Sequence, residues 1–167
     1  MLKVYLDNNV VSAMAKDDTA LESSALDRLL EAYEKKKVEL VTSELTLQEI
    51  TRYQGFSRKS MERMFRLLAK VPVVRWDELL GINVYADQYT CINSPLIRND
   101  PLYESLLKLG LKVPDAQHVF VAAKQGCAYV ITCDGGVLSR AKDIEALSGV
   151  GVLKPSELVA QQQWDEK

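Results

Sequence analysis

The feature that most constrains this chain is the alternation of short apolar, β-rich runs with stretches of helical periodicity. Leu2-Lys3-Val4-Tyr5-Leu6 reads as a first strand, ended by the turn-favouring residues Asp7-Asn8-Asn9. Over about residues 21–37, Leu26, Leu29, Leu30 and Tyr33 recur at helical spacing. Val38 to Val41 is a second strand, and a helix is expected over about 44–53. The stripe Met61, Met64, Phe65 and Leu68 predicts a helix from Ser57 to Lys70. Val71-Pro72-Val73-Val74-Arg75 is a third strand, with Pro72 suited to a strand start or an edge. A helical stretch follows Asp77, and Cys91 to Pro101 reads as loop. A short helix over Leu102–Leu109 should stop at Gly110, and one opened by Pro114-Asp115 should stop at Gly126. Cys127–Cys133 is a fourth strand, Asp134-Gly135-Gly136 a turn, Val137–Ala146 a short helix, and Gly151-Val152-Leu153 a fifth strand. Ser156-Glu157-Leu158 begins a last helical turn. Strands alternating with helices imply βαβ units and a parallel sheet covered on both faces.

At 167 residues, 47% of them hydrophobic, the chain suits a single domain over residues 1–160, followed by a polar tail over 161–167. The formal net charge of −2 is too small to draw nucleic acid by bulk attraction, so such contact would need a local basic patch or a bound metal. The three cysteines, Cys91, Cys127 and Cys133, form no CxxC pair and are an odd number, which fits reduced thiols in a cytoplasmic protein. No signal peptide is expected, because Lys3 and Asp7 interrupt the opening apolar run. No membrane span is expected either, since nothing approaches the roughly 18 apolar residues required.

Ligands of open α/β sheets bind beyond the carboxyl ends of the strands. Asp7 follows the first strand and Asp134 the fourth. Glu49 lies on the helix after the second strand, and Asp115 stands at the mouth of a helix. Each has an ordinary alternative. Asp7 could make an Asx-turn, Glu49 could complete a capping box with Thr46, Asp115 could be an N-cap, and Asp134 could serve a turn. Asn9 and Thr132 are placed to hydrogen-bond the carboxylates. His118, one helical turn after Asp115, reads first as a packed helix residue and second as a proton donor to the site. Lys59, Arg63 and Arg66 fall opposite the Met61/Met64/Phe65 stripe, either as a phosphate-contacting ridge or as a solvated helix face. A dinucleotide site would need a glycine-rich turn after the first strand, and an aspartyl-phosphate site would need an acid at Asn9.

Taken in order, four segments resemble the motifs of the PIN-domain nucleases, including the VapC-like toxins of bacterial and archaeal toxin–antitoxin pairs. Val4-Tyr5-Leu6-Asp7-Asn8-Asn9-Val10 looks like the opening motif. Thr42-Ser43-Glu44-Leu45-Thr46-Leu47-Gln48-Glu49-Ile50 is similar to the second, with Glu49 as its acid. Pro114-Asp115-Ala116-Gln117-His118-Val119 resembles the third, and Val130-Ile131-Thr132-Cys133-Asp134 the fourth. The segment Gly151 to Leu158 resembles the usual ending. Asn8 stands where the family usually has a small hydroxyl residue, and the stretch between Glu49 and Asp115 is longer than usual. The resemblance implies a three-layer α/β/α fold with a central parallel sheet of about five strands. It also implies Mg²⁺- or Mn²⁺-dependent cleavage of RNA, a cognate antitoxin as partner, and in some members a homodimer. The alternative within the same fold is a non-catalytic module that binds RNA or protein.

Four carboxylates alone would repel a phosphodiester, whereas hard divalent ions on oxygen ligands reverse the local sign. Asp7 and Asp134, held rigidly at strand ends, are expected as primary metal ligands. Asp115 would ligate directly or through water. Glu49 would serve a second metal or orient the attacking water.

Overall fold

The computed structural model describes residues 1–10, 20–52, 68–75 and 99–162. Within them five strands form one parallel sheet: β1 (Leu2–Leu6), β2 (Val38–Ser43), β3 (Val73–Val74), β4 (Tyr129–Ile131) and β5 (Gly151–Leu153), in the order β3-β2-β1-β4-β5. The helices are α1 (Ala20–Glu34), α2 (Glu44–Arg52), α3 (Pro101–Lys108), α4 (Val113–Lys124), α5 (Gly135–Leu138), α6 (Ala141–Ser148) and α7 (Pro155–Gln162). All five expected strands are present. β3 is an edge strand, and Pro72 immediately precedes it, where its missing N–H costs the sheet nothing.

Side-chain alternation along the strands divides the core between the two faces of the sheet. Tyr5, Val41, Val130 and Val152 point to one face and pack with Tyr103 and Leu106 of α3, Val119 and Phe120 of α4, and Ile144 of α6. Val4, Leu6, Val38, Leu40 and Ile131 point to the other and meet Leu26 and Leu29 of α1 and Leu158 of α7. The result is the expected three-layer α/β/α arrangement. The sheet leaves room where it must. A Cβ on Gly151 would fall 2.7 Å from the ring of Tyr129, its register partner on β4.

Polar contacts fix how the outer layer sits. Glu22 of α1 is buried and accepts hydrogen bonds from the Ser156 amide (3.0 Å) and hydroxyl (2.7 Å), tying α1 to the start of α7. Asp100 caps α3 through the Leu102 amide (2.9 Å) and pairs with Lys124 of α4 at 2.7 Å. Gly110 and Gly126, the expected stops, follow α3 and α4 with φ of +86° and +66°. The single helix expected over Val137–Ala146 is instead two, α5 and α6. The break falls at Arg140, whose Nη1, together with the Ser139 hydroxyl, donates to the Gly136 carbonyl, while its Nε bonds the Leu109 carbonyl. The expected ridge of Lys59, Arg63 and Arg66, the helix carrying it, and most of the Cys91–Pro101 segment lie outside the described residues. Among the described residues no helix is long and apolar enough to cross a membrane.

α1 ends in an unusual way. The Lys36 amide reaches the Tyr33 carbonyl and the Lys37 amide the Ala32 carbonyl, which places Lys36 in the left-handed region at φ 56°. That position favours glycine, since a Cβ there is sterically costly. Lys36→Gly should therefore stabilise the protein by about 0.5–1 kcal/mol in urea denaturation, the relief of strain exceeding the added chain entropy. A loss of stability would refute this account of the turn.

Candidate functional site

The strand order reverses direction between β1 and β4, and in open α/β sheets the ligand crevice lies at such a switch point. Asp7 stands there. Its amide continues the sheet by donating to the Ile131 carbonyl at 3.1 Å, and the residue is only 3% exposed. Its Oδ2 accepts a hydrogen bond from the Thr132 hydroxyl at 2.7 Å and a longer one from Asn9 Nδ2 at 3.4 Å. The same Thr132 oxygen accepts from the Asp134 amide at 3.0 Å. One hydroxyl thus fixes both the Asp7 carboxylate and the backbone carrying Asp134.

Asp134 caps α5: its Oδ1 accepts from the amides of Gly136 (2.6 Å) and Val137 (3.2 Å). A Cβ on residue 136 would lie 2.9 Å from that oxygen, so glycine makes room for the carboxylate. The expected turn at Asp134-Gly135-Gly136 is therefore the first turn of a short helix, with Asp134 at its N-cap. Glu49 and Asp115 lack the capping roles considered for them. α2 already begins at Glu44, so Thr46 is inside the helix, where its hydroxyl meets that of Thr42 at 2.9 Å. The N-cap of α4 is Lys112, which leaves Asp115 half-buried within the first turn.

The centre of the cluster is His118. It is 3% exposed, and its Nε2 lies 3.3 Å from Asp7 Oδ1 and 3.3 Å from Glu49 Oε2. Its Nδ1 is 2.7 Å from Tyr5 Oη, which in turn is 2.6 Å from Ser43 Oγ. One ligating atom each from Asp7, Glu49 and His118 lie within 4.8 Å of one another, a group able to hold a metal ion.

Solved structures share this architecture. A chain of VapBC2 from Rickettsia felis, solved bound to a DNA fragment from their promoter, matches with a TM-score of 0.58 and 10% identity, covering 92% of this chain and 98% of that one. A chain of DNA-bound VapBC from Salmonella typhimurium matches with a TM-score of 0.57 and 15% identity, covering 93% and 99%. The fold is PIN-like. No family model and no curated protein matches the sequence.

Within this PIN-like framework the four motif acids share one electrostatic neighbourhood. The Asp115 carboxyl is held above its usual range first by partial burial, then by the charges of Asp134 and Asp7, with His118 opposing. Burial works to lower His118, but the Asp7 charge and the hydrogen bond and charge of Glu49 outweigh it and raise the imidazole above its ordinary value. Burial keeps the Tyr5 phenol neutral by pushing it far above the usual phenol range.

The structure thus brings Asp7 and Glu49 into contact with one imidazole and sets Asp115 in the field of Asp7 and Asp134. From sequence alone His118 ranks first as a packing residue. The available signal was the Asp115/His118 spacing of three, which puts both side chains on one helix face. Tyr5 and Ser43 carry no motif signal of their own. Strand alternation already sends Tyr5 to the face opposite Val4 and Leu6, toward α4.

Replacing Thr132 with valine removes the short donor to a buried carboxylate while keeping the side chain's shape. The expected cost is about 1–3 kcal/mol in urea denaturation. Asn9→Ala, which removes only the long contact, should cost less than about 1 kcal/mol. Equal effects would show that the hydroxyl does not hold Asp7.

Proposed function

We propose that this chain is a metal-dependent endoribonuclease that hydrolyses RNA phosphodiester bonds at the cluster of Asp7, Glu49, Asp115 and Asp134. The observation that carries the reading is the burial of the Asp7 carboxylate at the switch point, facing Glu49 and sharing its field with Asp115 and Asp134. Carboxylates gathered in a partly buried crevice are stabilised by bound positive charge, and a divalent ion supplies it. The donor set, mostly carboxylate oxygen, fits Mg²⁺ or Mn²⁺.

Asp7 and Glu49 would hold the ion, with Asp115 and Asp134 completing its surroundings directly or through water. When bound, such an ion polarises the phosphoryl group and lowers the pKa of water. The remaining work falls to the protein. Thr132 and Asn9 fix the orientation of Asp7. The α5 amides hold Asp134 Oδ1 in the cap, so its second oxygen is the one turned out of the cap. Glu49, with a side chain 30% exposed, is open to an entering water or phosphate. Both solved neighbours come from VapBC complexes. With the motif resemblance to VapC-like toxins, this supports a toxin restrained by a separately encoded antitoxin.

The test is incubation of the purified protein with mixed RNAs in chelator, in Mg²⁺ and in Mn²⁺, beside Asp7→Asn. Cleavage should require added metal. It should fall in the variant by more than about 100-fold, beyond the 10–100-fold typical of groups that only orient a metal ligand. Cleavage that persists in chelator or in the variant would overturn the proposal.

A further inference from the structure

The four acids leave unexplained why an imidazole sits between two of them. Nε2 of His118 is equidistant, at 3.3 Å, from Asp7 Oδ1 and Glu49 Oε2, and the three ligating atoms all lie within 4.8 Å of one another. Adjacent corners of an octahedron built on metal–ligand bonds of roughly 2.1 Å lie about 3 Å apart, and opposite corners about 4.2 Å. The two 3.3 Å separations from Nε2 are close to those of neighbouring ligands on one ion.

The opposite side of the ring has the support that metal-bound histidines have. In such sites the second ring nitrogen almost always donates to a partner that fixes tautomer and orientation. Here Nδ1 is 2.7 Å from Tyr5 Oη, and Tyr5 Oη is 2.6 Å from Ser43 Oγ. With Nδ1–H donating to Tyr5 Oη, and that phenol donating to Ser43 Oγ, the Nε2 lone pair faces the two carboxylate oxygens. In that tautomer a cation shared by the three atoms takes the place of the Nε2 proton that otherwise bonds Glu49.

We infer that His118 is a nitrogen ligand of the metal centre, with Asp7 and Glu49, and that the centre therefore selects a transition-metal dication such as Mn²⁺ over Mg²⁺. This rests on the metal-dependent reading above and adds to it a ligand and a preference. Imidazole suits first-row transition metals, whereas Mg²⁺ takes oxygen ligands and sheds its waters reluctantly. Tyr5 is the residue that positions the ligand.

His118 is the only histidine in the 167-residue chain, so a tag-free protein carrying ring-¹⁵N-histidine marks one imidazole alone. Pulsed electron paramagnetic resonance of the Mn²⁺-loaded wild type should show a ¹⁴N coupling that changes to ¹⁵N on labelling. Calorimetric titration should show Mn²⁺ binding at least about tenfold tighter than Mg²⁺. In His118→Ala the nitrogen signal should vanish and the two affinities should converge. Tyr5→Phe should keep the signal and weaken Mn²⁺ binding by about 10–100-fold. The spectrum of the wild type decides the matter even if a variant fails to fold. Mn²⁺ that binds the wild type, is lost in Asp7→Asn and shows no histidine nitrogen coupling would overturn the ligand assignment and leave the nuclease reading intact. In that case the imidazole is only an ion-pair partner. A wild type that binds neither ion would overturn both.

Discussion

The arrangement depends on a buried negative charge. Asp7 ends the central strand of the sheet, almost without exposure, where an uncompensated carboxylate would be prohibitively costly. Much of the surrounding structure is organised to tolerate it. The Thr132 hydroxyl, just past the neighbouring strand, donates to one oxygen, and His118 from α4 stands against the other. Asp7 and Thr132 each follow directly on a strand of the hydrogen-bonded parallel pair β1 and β4, and their amides continue the ladder to Ile131 and Leu153.

The tolerance is shared out hierarchically. Thr132 orients Asp7 and also receives the Asp134 amide, so the two strand-end acids cannot shift independently. Glu49 and Asp115 arrive on helices, and both are less buried than Asp7. Deeper still, Tyr5 and Ser43 anchor the imidazole from within the core, so the chemistry of the rim is continuous with the packing of the face that carries α3, α4 and α6.

Strand order could not be read from the sequence, but strand existence could, because Leu2–Leu6, Val38–Val41, Tyr129–Thr132 and Gly151–Leu153 are short, apolar and bounded by turn residues. The acids were legible for the same reason: each stands at a strand end or on a helix flanking one. What escaped was specific to side-chain direction. His118 reads first as one more residue of a buried helix, because its spacing from Asp115 shares a helix face with the site but does not fix which way the ring turns. The division of Val137–Ala146 into two helices was missed because it depends on Arg140 reaching Leu109, a partner far away along the chain. The likeness to Rickettsia felis and Salmonella typhimurium structures at 10% and 15% identity makes the same point, since the architecture persists where little of the sequence does.

The sheet's margins carry a consequence for how this molecule meets others. β3, on one flank, has two residues and begins directly after Pro72, which has no amide hydrogen to offer. β5, on the other flank, has three. Flanks this short present little unpaired backbone for a visiting strand to zip onto. Among the described residues the sheet thus offers another polypeptide little edge to extend.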